Sequence, residues 1–137
     1  MKENPNIVLF ACIHNAGRSQ MASAFFNAMA NPGKAQSVSA GTEPAERIHP
    51  EVVEVMKEAG LDISSQIPRK LTLELAQGVR LLVTMGCGDK CPYVPGLRRM
   101  DWALADPQGQ SLERVREIRD DIRGKVVALI DLEGWGK

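Results

Sequence analysis

The sequence predicts an α/β fold in which a parallel sheet carries helices on both faces. Short apolar, β-prone runs alternate along the chain with longer helix-forming stretches, the pattern of strands joined by helical crossovers. Candidate chemical residues fall at or just after the ends of those runs: Cys12, Cys87 and Asp106. In such sheets ligands bind beyond the carboxyl ends of the strands, so the three are expected to converge on one edge. No repeat, low-complexity tract or Gly/Ser-rich linker divides the 137 residues, and residues 1–137 are read as one domain, long enough to bury a core.

The elements follow in order. "NIVLFAC" (6–12) is a short apolar run closed by a Gly-containing turn and reads as a buried strand. "SQMASAFFNAMANPG" (19–33) is rich in helix formers and ends on Asn31-Pro32-Gly33, a stop signal. "AQSVSAG" (35–41) is read as a second strand. "HPEVVEVMKEAGLD" (49–62) has Pro50 at a first helical position, acidic residues in its first turn and Gly60 as C-terminal cap. "VRLLVTMG" (79–86) is a third strand, and "RMDWALAD" (99–106) is a candidate fourth. From Ser111 onward, Leu112, Val115, Ile118, Ile122, Val126 and Leu129 recur every three to four residues, which places one face of a long amphipathic helix against the core.

Composition narrows the function classes. Seventeen Lys plus Arg balance 17 Asp plus Glu, so no field of one sign points to nucleic acid or an acidic membrane. The polar start "MKENPN" and the six-residue run "IVLFAC" are too short for a signal peptide or a membrane span, and a cytoplasmic location is expected. In a reducing compartment three cysteines do not suggest a disulfide scaffold, which leaves catalysis, redox chemistry or metal binding.

The stretch "FACIHNAGRSQMA" (10–22) carries the strongest chemistry. Five residues separate Cys12 from Arg18, and the stretch runs from a strand through a turn into a helix. The backbone of Ile13, His14, Asn15, Ala16, Gly17, Arg18 and Ser19 is expected to wrap its N–H groups around a tetrahedral oxyanion, with the helix N-terminus aimed at the same point. Gly17 allows a conformation that a side chain would obstruct, and Asn15 tolerates left-handed backbone. Arg18 offers a planar fork for two oxygens, and the same positive field favours the Cys12 thiolate, to which the Ser19 hydroxyl can donate. The competing reading is a small hydrophobe finishing a strand, with Arg18 on a solvated helix face; the strand–turn–helix context argues against it.

"MGCGDKCP" places Cys87 and Cys91 four residues apart, just past a strand. On a helical turn such side chains are neighbours at about 5–6 Å between Cβ atoms, and modest rearrangement closes a disulfide. Inert packing is disfavoured by the surrounding Gly86, Gly88, Asp89, Lys90 and Pro92, which describe an exposed loop. A zinc site would need two further ligands from Cys12, His14, His49 or carboxylates, with no second pair at finger-like spacing. No metal ligand is therefore assigned.

"VLFACIHNAGRSQMASAF" resembles the phosphate-binding loop of the low-molecular-weight tyrosine phosphatase fold, in the form found in its arsenate reductase branch. "SAGTEP", "HPEVVEVMKEAGLDIS", "LLVTMGCGDKCPYVPG" and "DWALADPQGQ" continue the resemblance over nearly the whole chain. It implies a three-layer domain with a four-stranded parallel sheet, Cys12 as nucleophile, Arg18 as oxyanion clamp, Asp106 as general acid, and Cys87 with Cys91 as a redox relay. Two features favour the reductase branch. Phosphatases of this fold carry aromatic residues after the acidic Asp-Pro, whereas Gln108-Gly109 follow Asp106-Pro107 here, and the one tyrosine is Tyr93. A phosphatase also has no use for the Cys87/Cys91 pair. The implied function is reduction of arsenate (phosphate being its analogue) to arsenite through a Cys12/Cys87/Cys91 relay. The alternative is a phosphatase acting on phosphotyrosine or aryl phosphates, and a third is a non-enzymatic redox or oxyanion sensor.

The resemblance also implies no bound cofactor, an external thiol reductant (thioredoxin, or a glutaredoxin or mycothiol system), and a monomer. Two departures stand out. The best-known thioredoxin-linked members have six residues between their last two cysteines, whereas three separate Cys87 from Cys91. Those members also hold potassium through side chains including Glu, Thr and Asp; here Ser23, Ile67 and Arg69 stand at the matching positions, with Asn15 and Ser39 retained, so potassium is not expected. His14 and His49 are read as structural, and Trp102 and Trp135 as packing.

Overall fold

The structure, a computed structural model, describes residues 6–86 and 94–137. Among the described residues, four strands and four helices follow in the order β1 (Asn6–Cys12), α1 (Arg18–Met29), β2 (Ala35–Gly41), α2 (Pro50–Glu58), α3 (Leu73–Gln77), β3 (Leu81–Thr84), β4 (Arg98–Asp101) and α4 (Leu112–Glu133). The sheet order is β2-β1-β3-β4, and every pairing is parallel. The chain leaves β1 toward β2 on one side and returns to add β3 on the other. The carboxyl end of β1 is therefore the switch point of the sheet, where a crevice opens between diverging connections. Cys12 is the last residue of β1.

Alternation along the strands divides the core. Val8, Phe10 and Cys12 of β1 join Leu81 and Val83 of β3 on one face, covered by Met21, Phe25 and Phe26 of α1, Val52, Val55 and Met56 of α2, and the apolar stripe of α4. Leu9, Ala11, Ala40 and Leu82 face the other way, against Leu71 and Ala76. Among the described residues both faces of the sheet are covered, the second more thinly, with α3 as its helix. Phe10 stacks near Phe26 and Trp102 at ring-centroid distances of 5.8 and 5.7 Å, and Trp135 closes on Phe26 at 6.0 Å. Each fully buried ring of this kind contributes about 1.5–3 kcal/mol of transfer free energy.

The stripe read from Ser111 onward is buried at Val115, Ile118, Ile122, Val126 and Leu129, whereas Leu112 stays partly exposed. Ser111 caps α4 by accepting from the Arg114 amide at 3.2 Å, and Gly134 ends it in left-handed conformation. Among the boundaries that differ from the sequence reading, β3 spans Leu81–Thr84 and not 79–86. The first helix ends at Met29, because Ala30 leaves it to bridge Gly136. The second ends at Glu58, with Ala59 as cap and Gly60 beyond it at φ 85°. The fourth strand spans Arg98–Asp101 and not 99–106, because its partner β3 ends at Thr84, which pairs with Asp101. Helix α3, capped by Thr72 Oγ1, was not signalled.

Candidate active site

The loop from Cys12 to Arg18 is built by what its carbonyls do. Those of Cys12, Ile13, His14 and Ala16 accept from the amides of Thr42, Glu43, Ala45 and His49, respectively, at 2.7–3.1 Å, which ties the loop to the β2–α2 connection. Its amides are left for something else. That of Asn15 donates to Cys12 Sγ at 3.3 Å, and among the described residues those of Ile13, His14, Ala16, Gly17 and Arg18 have no protein acceptor. Helix α1 begins at Arg18 with no side-chain cap and no acidic residue in its first turn, so its N-terminal donors face the same region. Unpaired amides at a helix N-terminus form a ready anion site.

Asn15 sits at φ 50°, in the left-handed region that the sequence reading allowed it. That backbone costs about 1–2 kcal/mol in an L-residue. Three hydrogen bonds of the Asn15 carboxamide, each worth about 0.5–1.5 kcal/mol net, offset it. Its Nδ2 donates to Ser19 Oγ at 2.7 Å, and its Oδ1 accepts from the Arg69 amide at 2.9 Å and from Gln20 Nε2 at 3.0 Å. Ser19 Oγ lies 2.9 Å from Cys12 Sγ. Cys12 is 2% exposed, yet its sulfur is held by an amide and a hydroxyl. A packing cysteine needs neither, and a thiolate uses both.

Arg18 is 6% exposed, although its element begins at the surface edge of the sheet. Its Nη1 donates to the Leu104 carbonyl at 3.4 Å and its Nη2 lies 3.8 Å from Asp106 Oδ2. The Asp106 carboxylate is half exposed and its Oδ1 accepts from the Gln108 amide at 2.9 Å, so the Asp-Pro turn aims it at the guanidinium. Asp106, distant in sequence, is thus brought to Cys12 and Arg18 at the carboxyl edge of the sheet. Cys87 and Cys91 lie outside the described residues. The His14 ring donates through Nδ1 to the Glu43 carbonyl at 3.0 Å, and His49 is the N-cap residue of α2.

Three glycines make room for this site, and only one of them was singled out from the sequence. A Cβ on Gly86, at φ 93°, would meet Arg18 Nη1 at 2.4 Å. A Cβ on Gly41 would meet the Ile13 carbonyl at 2.6 Å and the Asn15 amide at 2.8 Å. At Gly17 the constraint is the approach of Pro107, whose Cγ would lie 2.7 Å from a Cβ; its φ of −146° is not left-handed. The signal missed for Gly41 and Gly86 is a contact far along the chain, which no local pattern displays. Beside the loop, Gln20, Ser23, Ser37, Ser39, Ile67 and Arg69 line a polar cavity of about 170 Å³. Among the described residues no group of three His, Cys, Asp or Glu side chains gathers as metal ligands.

A thiol cupped by free amides at the switch point of a parallel sheet, with an arginine and a carboxylate beside it, defines the phosphatase-loop class of oxyanion-handling proteins. The chain belongs to the low molecular weight phosphotyrosine protein phosphatase family, which it matches over residues 7–133. It is 36% identical over 126 residues to the glutaredoxin arsenate reductase of Synechocystis, covering 90% of this chain and 95% of that protein. Its fold superposes on the thioredoxin-dependent arsenate reductase Cg_ArsC1' of Corynebacterium glutamicum with a TM-score of 0.82 at 39% identity, covering 96% of this chain and 63% of that longer one. An arsenate reductase from Archaeoglobus fulgidus gives 0.75 at 35% identity, covering 90% of this chain and 98% of that one.

Proposed function

We infer that this chain is an arsenate reductase, a thiol-dependent oxidoreductase of the phosphatase fold. The observation that carries the reading is the Cys12 sulfur, hydrogen-bonded by Ser19 and the Asn15 amide beneath a loop whose other N–H groups have no acceptor among the described residues. Two relatives of similar length, at 36% and 35% identity, are arsenate reductases. The phosphatase alternative is weaker, because it leaves the two further cysteines without work and lacks aromatic residues after Asp106-Pro107.

The chemistry follows from the residues. The loop amides and the Arg18 fork bind arsenate by its oxygens. The Cys12 thiolate attacks arsenic, a sulfur–arsenic bond forms, and one oxygen leaves as water with a proton from Asp106. The Cys87 thiolate then attacks Cys12 Sγ. The sulfur–arsenic electron pair passes to arsenic, which departs as arsenite, and a Cys12–Cys87 disulfide remains. Cys91 attacks Cys87, restores the Cys12 thiolate and leaves Cys87–Cys91 oxidised. A dithiol protein returns two electrons and two protons. Thioredoxin is the reductant favoured here, because the Corynebacterium relative is thioredoxin-dependent, with glutaredoxin and mycothiol systems as the alternatives. The protein acts as a cytoplasmic monomer in this reading, with no resident cofactor.

The test is steady oxidation of NADPH that depends on arsenate, in the presence of thioredoxin and its reductase, or of the glutaredoxin or mycothiol equivalents. Turnover with one of these systems is expected. Hydrolysis of aryl phosphates with no arsenate-dependent oxidation in any of them would reverse the assignment in favour of the phosphatase.

A further inference from the structure

Gln20 is 4% exposed, and among the described residues its side chain's single protein hydrogen bond runs from Nε2 to Asn15 Oδ1 at 3.0 Å. That bond does not satisfy an orphan acceptor, because the Arg69 amide already donates to the same oxygen at 2.9 Å. What a second donor adds is direction. One bond to a carboxamide oxygen leaves its plane free to rock about the Cβ–Cγ axis. Two bonds, from helix α1 and from the strand-like chain beside Gly41, fix the plane and with it the direction of Nδ2–H.

The proton order along this chain is set by elementary chemistry. A backbone N–H only donates, so the Asn15 atom facing Arg69 is oxygen, and the Gln20 atom facing that oxygen must be Nε2. Asn15 Nδ2 therefore faces Ser19 Oγ and donates to it at 2.7 Å. The Ser19 hydroxyl, its oxygen engaged as an acceptor, has its one proton left for Cys12 Sγ at 2.9 Å. The sequence Gln20, Asn15, Ser19, Cys12 is a relay of donors, each pointing toward the sulfur.

We propose that Gln20 is a positioning residue for the nucleophile: its amide locks Asn15 so that the Ser19 hydroxyl donates to the Cys12 thiolate. Gln20 touches neither sulfur nor oxyanion and acts through the two residues between. The inference rests on the reading of Cys12 as a thiolate, and its experiment separates the two.

The measurement is the pH dependence of iodoacetamide alkylation in a Cys87→Ser/Cys91→Ser background, where Cys12 is the sole thiol. Gln20→Met keeps the shape and removes the donor, and the midpoint of alkylation is expected to move up by about half to one pH unit, the size of one lost polar contact. Gln20→Glu supplies an acceptor when ionised and an O–H donor when protonated. Its alkylation rate should lag the parent's by about tenfold below the raised midpoint, where the carboxyl is still ionised, and draw level in alkali, where both thiols are fully ionised. A purely structural role would lower the melting temperature of both variants while leaving the midpoint and the ratio to the parent flat across pH. That result overturns the proposal, and the Gln20→Glu ratio decides alone if Gln20→Met does not fold. A parent midpoint at the free-cysteine value of about 8.5 would instead remove the thiolate reading, and this inference with it.

Discussion

A guanidinium grips two oxygens of one anion only where nothing else fills the space its fork needs. At Arg18 that space exists because residue 86 has no Cβ: one placed there would lie 2.4 Å from Nη1. Arg18 also contacts the Leu104 carbonyl and the Asp106 carboxylate, so its plane is set from the β4 side as well. Two substitutions should therefore damage the same function by different routes. Arg18→Lys keeps the charge and loses the planar two-point contact, whereas Gly86→Ala keeps the guanidinium and displaces it. Both are expected to cut arsenate turnover by about 10²–10³-fold, the usual loss when an oxyanion donor is removed. Cys12→Ser should abolish it while the melting temperature stays near that of the parent. Single-turnover arsenite release, measured beside a thermal melt, checks all three. Near-parental rates in Gly86→Ala would mean that Arg18 does its work from another position.

At the scale of elements, strand β4 and the end of helix α4 are joined by one ion pair that no local pattern announces. Arg98 and Glu133 meet through two hydrogen bonds, at 2.7 and 3.0 Å. The Arg98 guanidinium holds the Glu133 carboxyl below its ordinary value of 4.5. A carboxyl whose value is lowered by folding stabilises the folded state above its unfolded value, and the contribution fades as the pH falls through the lowered one. Glu133→Gln should thus lower the melting temperature at neutral pH, and the two melting curves should converge as the pH drops below about 4.5. A gap that stays constant into acid would show that the tie acts through packing and not charge. The same contrast between local and distant cause explains what the sequence displayed. Strands β1 and β2 were legible residue for residue, because their runs are bounded by turn formers at Ile13–Gly17 and Asn31–Gly33. The run 79–86 overstated β3, yet Arg80 and Met85 still donate to β1 carbonyls at 2.8 Å just outside it. Helix α3 has five residues, fewer than two turns, too short for periodicity to register. The site divides in the same way. Cys12 and Arg18 stand at a strand end and a helix start that sequence marks, and Asp106 is marked by its Asp-Pro turn although it lies beyond β4, whereas Gly41, Gly86 and the partners of Asn15 depend on contacts made only by the folded chain.

On the scale of the whole molecule, the sheet order bears on the order of the proposed relay. Because β3 lies directly beside β1, Met85 and Gly86, which follow β3, lie next to the loop that follows β1. Gly86, against Arg18, is one residue before Cys87, and Cys91 comes four residues later in the chain. The order of thiols along the chain is then the order expected of the relay: Cys87 on Cys12, Cys91 on Cys87, and the external reductant last. Thiol exchange passes through mixed disulfides, so removal of a later member should trap the earlier bond. Cys91→Ser is expected to complete one turnover and stop with Cys12 and Cys87 joined. Cys87→Ser should release little arsenite unless a small thiol is added. Peptide mapping of the arsenate-treated Cys91→Ser protein, under alkylation and without reductant, reads the trapped bond directly. If that protein released arsenite at the parental single-turnover rate with Cys12 free, the attacking sulfur would have to come from outside the chain. The Cys87/Cys91 pair would then lose its place in the reaction, and a low-molecular-weight thiol would take it.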